Sequence, residues 1–214
     1  MRVLSINIAK AQKVEYQGRW IETGIFKSPI VGTVPVERDG FDGDVQVDRK
    51  NHGGRDKAVY AYTQENYRHW ETLHGVHEYP HGQFGENLTV MGMPDDGIHI
   101  GDIFTVGQSV MQITQPRVPC FKLGIKFGNP RFVADFLVSG RTGFYLRVLE
   151  EGLVQPGDAI VLRVADPLRV SIRDAMHAWI SGPAQPEWIE KVLAINALSA
   201  AWRNDLTKRL KKNL

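Results

Sequence analysis

The chain has a single cysteine, almost no net charge and no long apolar run, and each of these shortages excludes a class of protein. One cysteine, Cys120, among 214 residues rules out an intramolecular disulfide, which fits a reducing cytosol. The 26 basic and 24 acidic residues give a net charge of +2, so no global basic field favours a nucleic-acid partner and any anion site must be built locally. The N-terminus lacks the apolar stretch of a signal peptide, and no run has the length of a membrane span. We expect a cytoplasmic protein that binds neither membrane nor nucleic acid.

Glycine and proline predict a mainly β fold for most of the chain. Residues 1–48 contain both too often for long helices, which favours short strands and turns. Gly-Asp turns at Gly101 and Gly157 each precede a strand-like run, and Gly107 separates the two arms of a predicted hairpin. Many short strands with glycine turns at regular spacing are typical of a barrel or sandwich. A short helix is predicted at 129–137, with a proline near its start.

The pattern becomes helical after residue 166. Three amphipathic segments follow, each opened by a capping residue or a proline, at Ser171, Pro186 and Ser199. The cations of the last segment suit the C-terminal end of a helix dipole better than a DNA-binding surface. The sequence therefore predicts a β domain at 1–166 and a three-helix domain at 167–214.

A further helix is predicted at 64–73, where aromatic residues recur with helical spacing. Tyr67, Trp70 and either Leu73 or His74 share one face of it, and we interpret this stripe as core packing. Three histidines follow closely, at His74, His77 and His81. A glycine and a proline interrupt any helix that would align them, so a polar surface loop is favoured over a metal site.

The stretch 115–123 has the composition of a reactive site. Prolines on both sides of Arg117 hold their neighbours extended, so we expect a stiff loop leaving a strand, not a helix. Arg117 and Lys122 flank Cys120, and nearby positive charge lowers the pKa of a thiol toward the reactive, metal-binding thiolate. A lone cysteine is also commonly a small, inert core residue. The residues alone leave both interpretations of Cys120 open.

A glycine pair at Gly53-Gly54 is surrounded by basic residues. His52, Arg55 and Lys57 lie beside it. Such a turn can present backbone amides and positive charge to an anion. A solvated hairpin turn explains the same residues equally well.

Three stretches, taken in order, resemble the MOSC domain, named for the C-terminal part of molybdenum cofactor sulfurases. The closest likeness is to its stand-alone bacterial, YiiM-like branch, in which a short three-helix domain follows the β-barrel. The stretches are Asp44-x-Gln46-x-Asp48 to His52-Gly53-Gly54-x-Asp56-Lys57-Ala58-Val59-Tyr60, then Gly85-Glu86-Asn87-Leu88, and Pro116-Arg117-x-Pro119-Cys120-x-Lys122-Leu123.

The resemblance implies a MOSC-type β-barrel that binds the molybdenum cofactor, molybdopterin. Cys120 matches the cysteine that ligates molybdenum in members that are reductases. Those enzymes reduce N-hydroxylated compounds, notably bases such as 6-hydroxylaminopurine, with electrons from a separate flavoprotein or similar donor. The family also implies a homodimer.

The chemistry of the residues agrees with such a cofactor. Thiolate is a soft ligand suited to a redox metal, and a cofactor phosphate suits arginine and lysine. The basic candidates for the phosphate are Arg55, Lys57, Arg117, Lys122 and Arg141. Candidate hydrogen-bond donors to the cofactor are His52, Asn87 and the backbone amides of Gly53 and Gly54. Candidate proton donors for the reduction of N–OH are His52 and Asp56.

Two alternatives accompany the reductase hypothesis. One is a sulfur carrier, in which Cys120 holds a persulfide for maturation of a metallosulfur cluster or cofactor. The absence of a pyridoxal-phosphate-dependent desulfurase domain from this chain weighs against a complete sulfurase. The other is a non-catalytic carrier of the molybdenum cofactor or an anion-binding module. We favour the reductase.

Overall fold

The structure is a computed structural model that describes residues 1–48 and 53–211. These ranges contain thirteen β-strands, six α-helices and two 3-10 turns. The strands are β1 Arg2–Ile8, β2 Gln12–Tyr16, β3 Arg19–Thr23, β4 Ser28–Ile30, β5 Val34–Glu37, β6 Gly40–Phe41, β7 Val59–Thr63, β8 Leu88–Met91, β9 Ile103–Val106, β10 Ser109–Pro116, β11 Phe144–Glu150, β12 Gly152–Val154 and β13 Ile160–Val164. The helices are α1 Gln64–His74, α2 Phe121–Lys126, α3 Phe132–Val138, α4 Ile172–Ser181, α5 Pro186–Leu193 and α6 Ala200–Lys211, and the 3-10 turns are Arg55–Lys57 and Gly182–Ala184.

One large sheet forms the centre of the fold. Its eight strands run in the order β13-β9-β10-β11-β7-β8-β1-β4, while β12-β5-β6 and β2-β3 form two smaller sheets. Every pairing in the large sheet is antiparallel except that of β7 with β8. That parallel pair is joined through α1, as parallel neighbours require a crossover. The mainly β prediction is therefore confirmed.

The strand pairing does not close the large sheet into a barrel, so the barrel itself is not confirmed. An isolated bridge joins Arg2 to Ala159, and the Val3 amide donates to the carbonyl of Asp158 at 2.9 Å. The later residues of β1 pair instead with β4, from Ile6 to Ile8. Because β1 divides its outer edge between two partners, no continuous ladder runs from the last strand back to the first.

Local helix signals predicted most of the helices. Thr63 caps α1 by accepting a hydrogen bond from the Asn66 amide at 3.2 Å, and the helix ends at Gly75 in the left-handed conformation. Ser171 caps α4 in the same way, with the amide of Asp174 as donor at 3.0 Å. The predicted short helix at 129–137 is observed as α3, and the second and third C-terminal segments as α5 and α6.

The prediction of an extended loop over 115–123 was wrong at its end. The strand β10 continues to Pro116, and α2 begins at Phe121. Proline restricts itself and the residue before it, so Pro119 leaves the backbone after Cys120 unconstrained. The Leu123 amide donates to the carbonyl of Cys120 at 3.0 Å, and the fully buried Leu123 side chain anchors the turn in the aromatic core.

Two hydrophobic clusters stabilise the molecule. The larger one contains buried residues of the large sheet together with those of α4, α5 and α6, such as Met176, Ile189 and Leu206. The division at 166/167 stays a prediction, since sheet and helices share this core. The smaller cluster is aromatic and includes Tyr67 and Trp70, which confirms their interpretation as core. Leu73, predicted on the same face, is instead 63% exposed.

Within 1–48 and 53–211, no helix combines the length and the apolar character needed to span a bilayer.

Candidate functional site

A cleft of about 100 Å³ contains Cys120 and is lined by residues from two neighbouring strands of the large sheet, β7 and β11. Tyr60 on β7 is paired with Tyr145 on β11, and their ring centres are 5.3 Å apart. Arg117 follows the end of β10, the other neighbour of β11. The short loop after β10 thus brings Arg117 over the Tyr60 ring and places Cys120 in the same cleft as both tyrosines.

Arg117 is a buried cation, with 5% of the residue exposed. Among residues 1–48 and 53–211, its Nη1 has no hydrogen-bond partner. The guanidinium carbon lies 4.9 Å from the centre of the Tyr60 ring and 5.4 Å from that of Phe136. Cation–π contacts compensate part of the desolvation of such a group. Leaving a buried donor unpaired costs about 1–3 kcal/mol, more when it is charged, so the geometry suits an anionic ligand that accepts from Nη1.

Cys120 is partly buried in this cleft and forms no disulfide. It occupies the extended position directly before α2, with φ −124°. Arg117 lies close enough for electrostatic interaction with its sulfur. Positive charge at that position favours the thiolate over the thiol.

Lys57 and Lys122 add positive charge to the cleft wall. Burial lowers the pKa of Lys57, while Asp48 and Asp56 act in the opposite direction. The Lys122 ammonium donates to the carbonyl of Glu22 at 3.1 Å and so ties α2 to β3. Both lysines line the cleft.

The two tyrosines are held in their neutral form. Burial raises the pKa of Tyr60 well above its usual value, and Arg117 acts in the opposite direction. Burial likewise raises the pKa of Tyr145, again opposed by Arg117. Both phenols therefore keep their protons at neutral pH.

A buried ion pair that the sequence analysis missed supports the opposite wall. The carboxylate of Asp44 accepts from the Lys27 ammonium at 2.6 Å, from the Ala9 amide at 2.9 Å and from the Asn87 side-chain amide at 2.8 Å. Burial lowers the pKa of Lys27, and Asp44 opposes that shift. Asp44 stands in the recognised motif, but its partner Lys27 lies outside all three motifs.

Asn87, predicted as a hydrogen-bond donor to the cofactor, lines the cleft, but its amide is engaged within the protein. The Nδ2 group donates to Asp44, and Oδ1 accepts from the Tyr60 amide at 3.2 Å. These bonds fix β7 relative to the loop before β8. In this arrangement Asn87 acts as a support for Tyr60.

Several predicted site residues are not among those that line the cleft. Arg55 is exposed in the 3-10 turn Arg55–Lys57. The Gly54 amide donates to Gln46 Oε1 at 3.2 Å, and neither Gly54 nor its neighbour Gly53 lines the cleft. Arg141 donates to Asn66 Oδ1 at 3.3 Å, near α1. The prediction for His52 falls outside the described residues.

Asp56, predicted as a proton donor, instead connects the 3-10 turn to the C-terminal helices. Its Oδ1 forms an ion pair with Arg147 at 2.8 Å, and its Oδ2 accepts from the amide of Ala200 at 3.1 Å. The carboxylate therefore lies at the start of α6, where the helix dipole favours negative charge.

The described residues contain no group of three or more His, Cys, Asp or Glu side chains placed to hold a metal ion. His74 contacts the Tyr79 hydroxyl at 2.8 Å, and His81 contacts Gln64 Oε1 at 3.3 Å. The predicted polar loop holds for His77 and His81, which follow the helix, but not for His74, which is the last residue of α1 and packs against Trp70.

Comparison with known proteins decides the family. The MOSC domain model matches residues 48–161, more than half of the chain. The chain belongs to the MOSC family. It is 42% identical over 207 residues to the uncharacterized protein YflK of Bacillus subtilis, covering 97% of this chain and 93% of YflK. The crystal structure of YiiM from Geobacillus stearothermophilus matches this MOSC protein with a TM-score of 0.83 and 33% identity over 98% of both chains.

A third relative carries an enzyme name. A protein called "Reductase" from Gibberella moniliformis is 33% identical over 163 residues. The match covers 75% of this MOSC chain but 29% of that reductase, so it concerns one part of a longer protein. The family and these names agree with a function related to the molybdenum cofactor and with oxidoreductase activity.

Proposed function

We propose that the cleft binds the molybdenum cofactor through Cys120 and that the protein reduces N-hydroxylated compounds of the type of 6-hydroxylaminopurine. One observation carries this proposal: Cys120 shares its cleft with Arg117, a buried guanidinium whose Nη1 finds no partner within the part of the chain that the structure describes. A soft sulfur ligand and an unsatisfied anion-binding group are the two functions that a phosphorylated molybdenum–dithiolene cofactor needs from a protein. Membership of the MOSC family and the reductase-named relative support the same chemistry.

The residues of the cleft have separable tasks. Cys120 provides the metal ligand, and no cluster of further protein ligands is needed for a single-thiolate attachment. Arg117, assisted by Lys57 and Lys122, binds the anionic part of the cofactor. The bound cofactor supplies the two-electron redox chemistry.

Proton supply is the remaining task of the protein. Reduction of R–NH–OH consumes two electrons and two protons and releases R–NH₂ and water. Tyr145 keeps its proton in the cleft wall and can donate it to the departing oxygen. The electrons come from a separate protein, for which a flavoprotein is the expected class.

The experiment compares wild type with Cys120→Ala after expression in a host that makes the cofactor. We expect stoichiometric molybdenum and pterin in wild type, loss of molybdenum in the variant, and loss of reduction of 6-hydroxylaminopurine. Thermal unfolding serves as the control, because the alanine variant should keep its fold. Retention of molybdenum by Cys120→Ala would contradict the ligand assignment.

Other outcomes would identify the alternatives. Stoichiometric molybdenum without turnover of any N-hydroxylated base would indicate a cofactor carrier. Molybdenum-free wild type with a persulfide on Cys120, detected by mass spectrometry of the intact protein, would indicate a sulfur carrier. Either result would replace the reductase.

A further inference from the structure

A second cavity of about 240 Å³ lies between the large sheet and the C-terminal helices. It shares Lys57 and Tyr145 with the Cys120 cleft. Its other walls come from the end of β10, the loop after it, α4 and α6, through Gln115, Val118, Pro119, Trp179, Ala201, Trp202 and Asp205.

The loop after β10 separates the two spaces. Arg117 and Cys120 line the cleft, whereas the two residues between them, Val118 and Pro119, line the cavity. The two hollows are thus opposite sides of one short segment and meet at the Tyr145 side chain. A molecule in the cavity lies directly next to the sulfur-bearing cleft.

The cavity walls suit a flat ring. Trp179, Trp202 and Tyr145 provide aromatic surface on different elements. The guanidinium of Arg209 lies 3.9 Å from the centre of the Trp179 ring, and the Trp179 indole nitrogen donates to Asp205 Oδ2 at 2.7 Å. These contacts fix the indole, so its orientation is established before any ligand enters.

The carboxylate of Asp205, at the cavity wall, can orient a ligand through a hydrogen bond. The two donors that reach Asp205 from the described residues, Trp179 and Arg209 Nε at 3.3 Å, both bond to Oδ2. Its Oδ1 can therefore accept from an N–H group of a ligand. Aromatic walls with one or two polar groups are typical of sites for small planar molecules.

We propose that this cavity binds the heteroaromatic part of the substrate, a planar nitrogen base, and directs its N-hydroxyl group past Tyr145 into the Cys120 cleft. The inference rests on the proposed function and names the part of the protein that selects the substrate. The volume supports a single small ring system, since it lies below the range of about 300–1,000 Å³ usual for drug-sized ligands. It also gives the C-terminal helices a task, because α4 and α6 supply both tryptophans.

The test fills the cavity from a wall residue whose side chain is a single methyl group. Ala201 is exposed on α6 and lines the cavity, and Ala200, its exposed neighbour, does not. Ala201→Trp should occupy the cavity, and Ala200→Trp is the matched control on the same helix. Binding of adenine, a non-reacting planar base, is measured by calorimetry and by tryptophan fluorescence on each purified protein.

We expect wild type and Ala200→Trp to bind adenine alike, and Ala201→Trp to bind it at least tenfold more weakly with unchanged molybdenum content. In turnover of 6-hydroxylaminopurine, Ala201→Trp should raise KM more than it lowers kcat. Equal adenine binding by Ala201→Trp and wild type would overturn the inference, as would no binding by wild type. Adenine binding that is lost in Ala201→Trp, in a protein that never acquires molybdenum, would support the cavity while the proposed reductase function fails.

Discussion

At the scale of single residues, Arg117 combines a structural cost with the anion-binding role proposed for it. In the cofactor-free protein, burial of Nη1 without a partner among the described residues lowers the free energy of unfolding. The contacts of the guanidinium with the rings of Tyr60 and Phe136 offset part of this loss. Arg117→Met keeps the volume and removes the charge. We expect the free energy of unfolding of the cofactor-free protein to change by less than about 1 kcal/mol, because the two terms oppose each other.

The same substitution should abolish retention of the cofactor pterin, measured by fluorescence after gel filtration. Arg55→Met is the control, because Arg55 is exposed and does not line the cleft. If both variants lose the pterin equally, the assignment of Arg117 as the anion-binding group is wrong.

The buried carboxyl group of Asp95 should make the stability of the protein depend on pH. It is fully buried, and its Oδ1 has no hydrogen-bond partner among the described residues. Burial raises its pKa from 3.8 to about 6, while Asn66 and Arg173 act in the opposite direction. Between these pH values the folded state binds more protons than the unfolded state, so the free energy of unfolding falls as pH rises. At 1.36 kcal/mol per pKa unit, the loss is roughly 1–3 kcal/mol.

Urea denaturation at several pH values between 4 and 7 measures this slope. Asp95→Asn should flatten it, because the amide does not titrate. Asp96→Asn is the matched control, since Asp96 is its exposed neighbour and pairs with Arg173 at 2.7 Å. An unchanged slope in Asp95→Asn would assign the pH dependence to other groups.

At the scale of elements, two serines that cap helices differ in what else they bond. Ser171 accepts from the Asp174 amide at 3.0 Å, and Ser199 accepts from the Trp202 amide at 3.1 Å. Only Ser199 also donates to a buried side chain, Gln115 Oε1, at 2.6 Å. We expect Ser171→Ala to cost about 1 kcal/mol and Ser199→Ala about 1–3 kcal/mol more, because the latter leaves a buried oxygen unsatisfied.

Urea denaturation at neutral pH compares the two variants directly. Equal losses would mean that the bond between Ser199 and Gln115 contributes nothing to stability. The comparison matters for the proposed substrate cavity, since Gln115 lines it and Ser199 sets the start of α6.

The cap of α4 was predictable because it depends on residues three apart in the chain. The start of α2 was not, because it depends on Leu123 packing into an aromatic core built from distant elements. Local hydrogen bonds are encoded in short stretches of sequence, whereas the burial of a short helix is decided by its neighbours.

At the scale of the whole molecule, the shared core predicts that sheet and C-terminal helices unfold together. Leu206 of α6 is fully buried in the same cluster as the sheet residues. Leu206→Ala should lower the free energy of unfolding by about 2–5 kcal/mol. It should also move the transitions seen by far-ultraviolet circular dichroism and by tryptophan fluorescence by the same amount.

Lys208→Ala, at an exposed position of the same helix, should leave both transitions in place. Two separate transitions, of which Leu206→Ala shifts one, would instead support the independent domains predicted at 1–166 and 167–214.

The sequence by itself determined the mainly β class and the amphipathic helices after residue 166, and it singled out four residues that line the cleft, Cys120, Arg117, Lys57 and Lys122. Strand, turn and cap signals are local, and the reactive residues lie within short motifs. Only the tertiary structure decided which basic residues line the cleft. In the folded protein, Asp56 contacts the start of α6 and the large sheet does not close into a barrel. Trp179 and Trp202 line the cavity next to the cleft. These outcomes depend on packing between segments far apart in the chain, which no local pattern encodes.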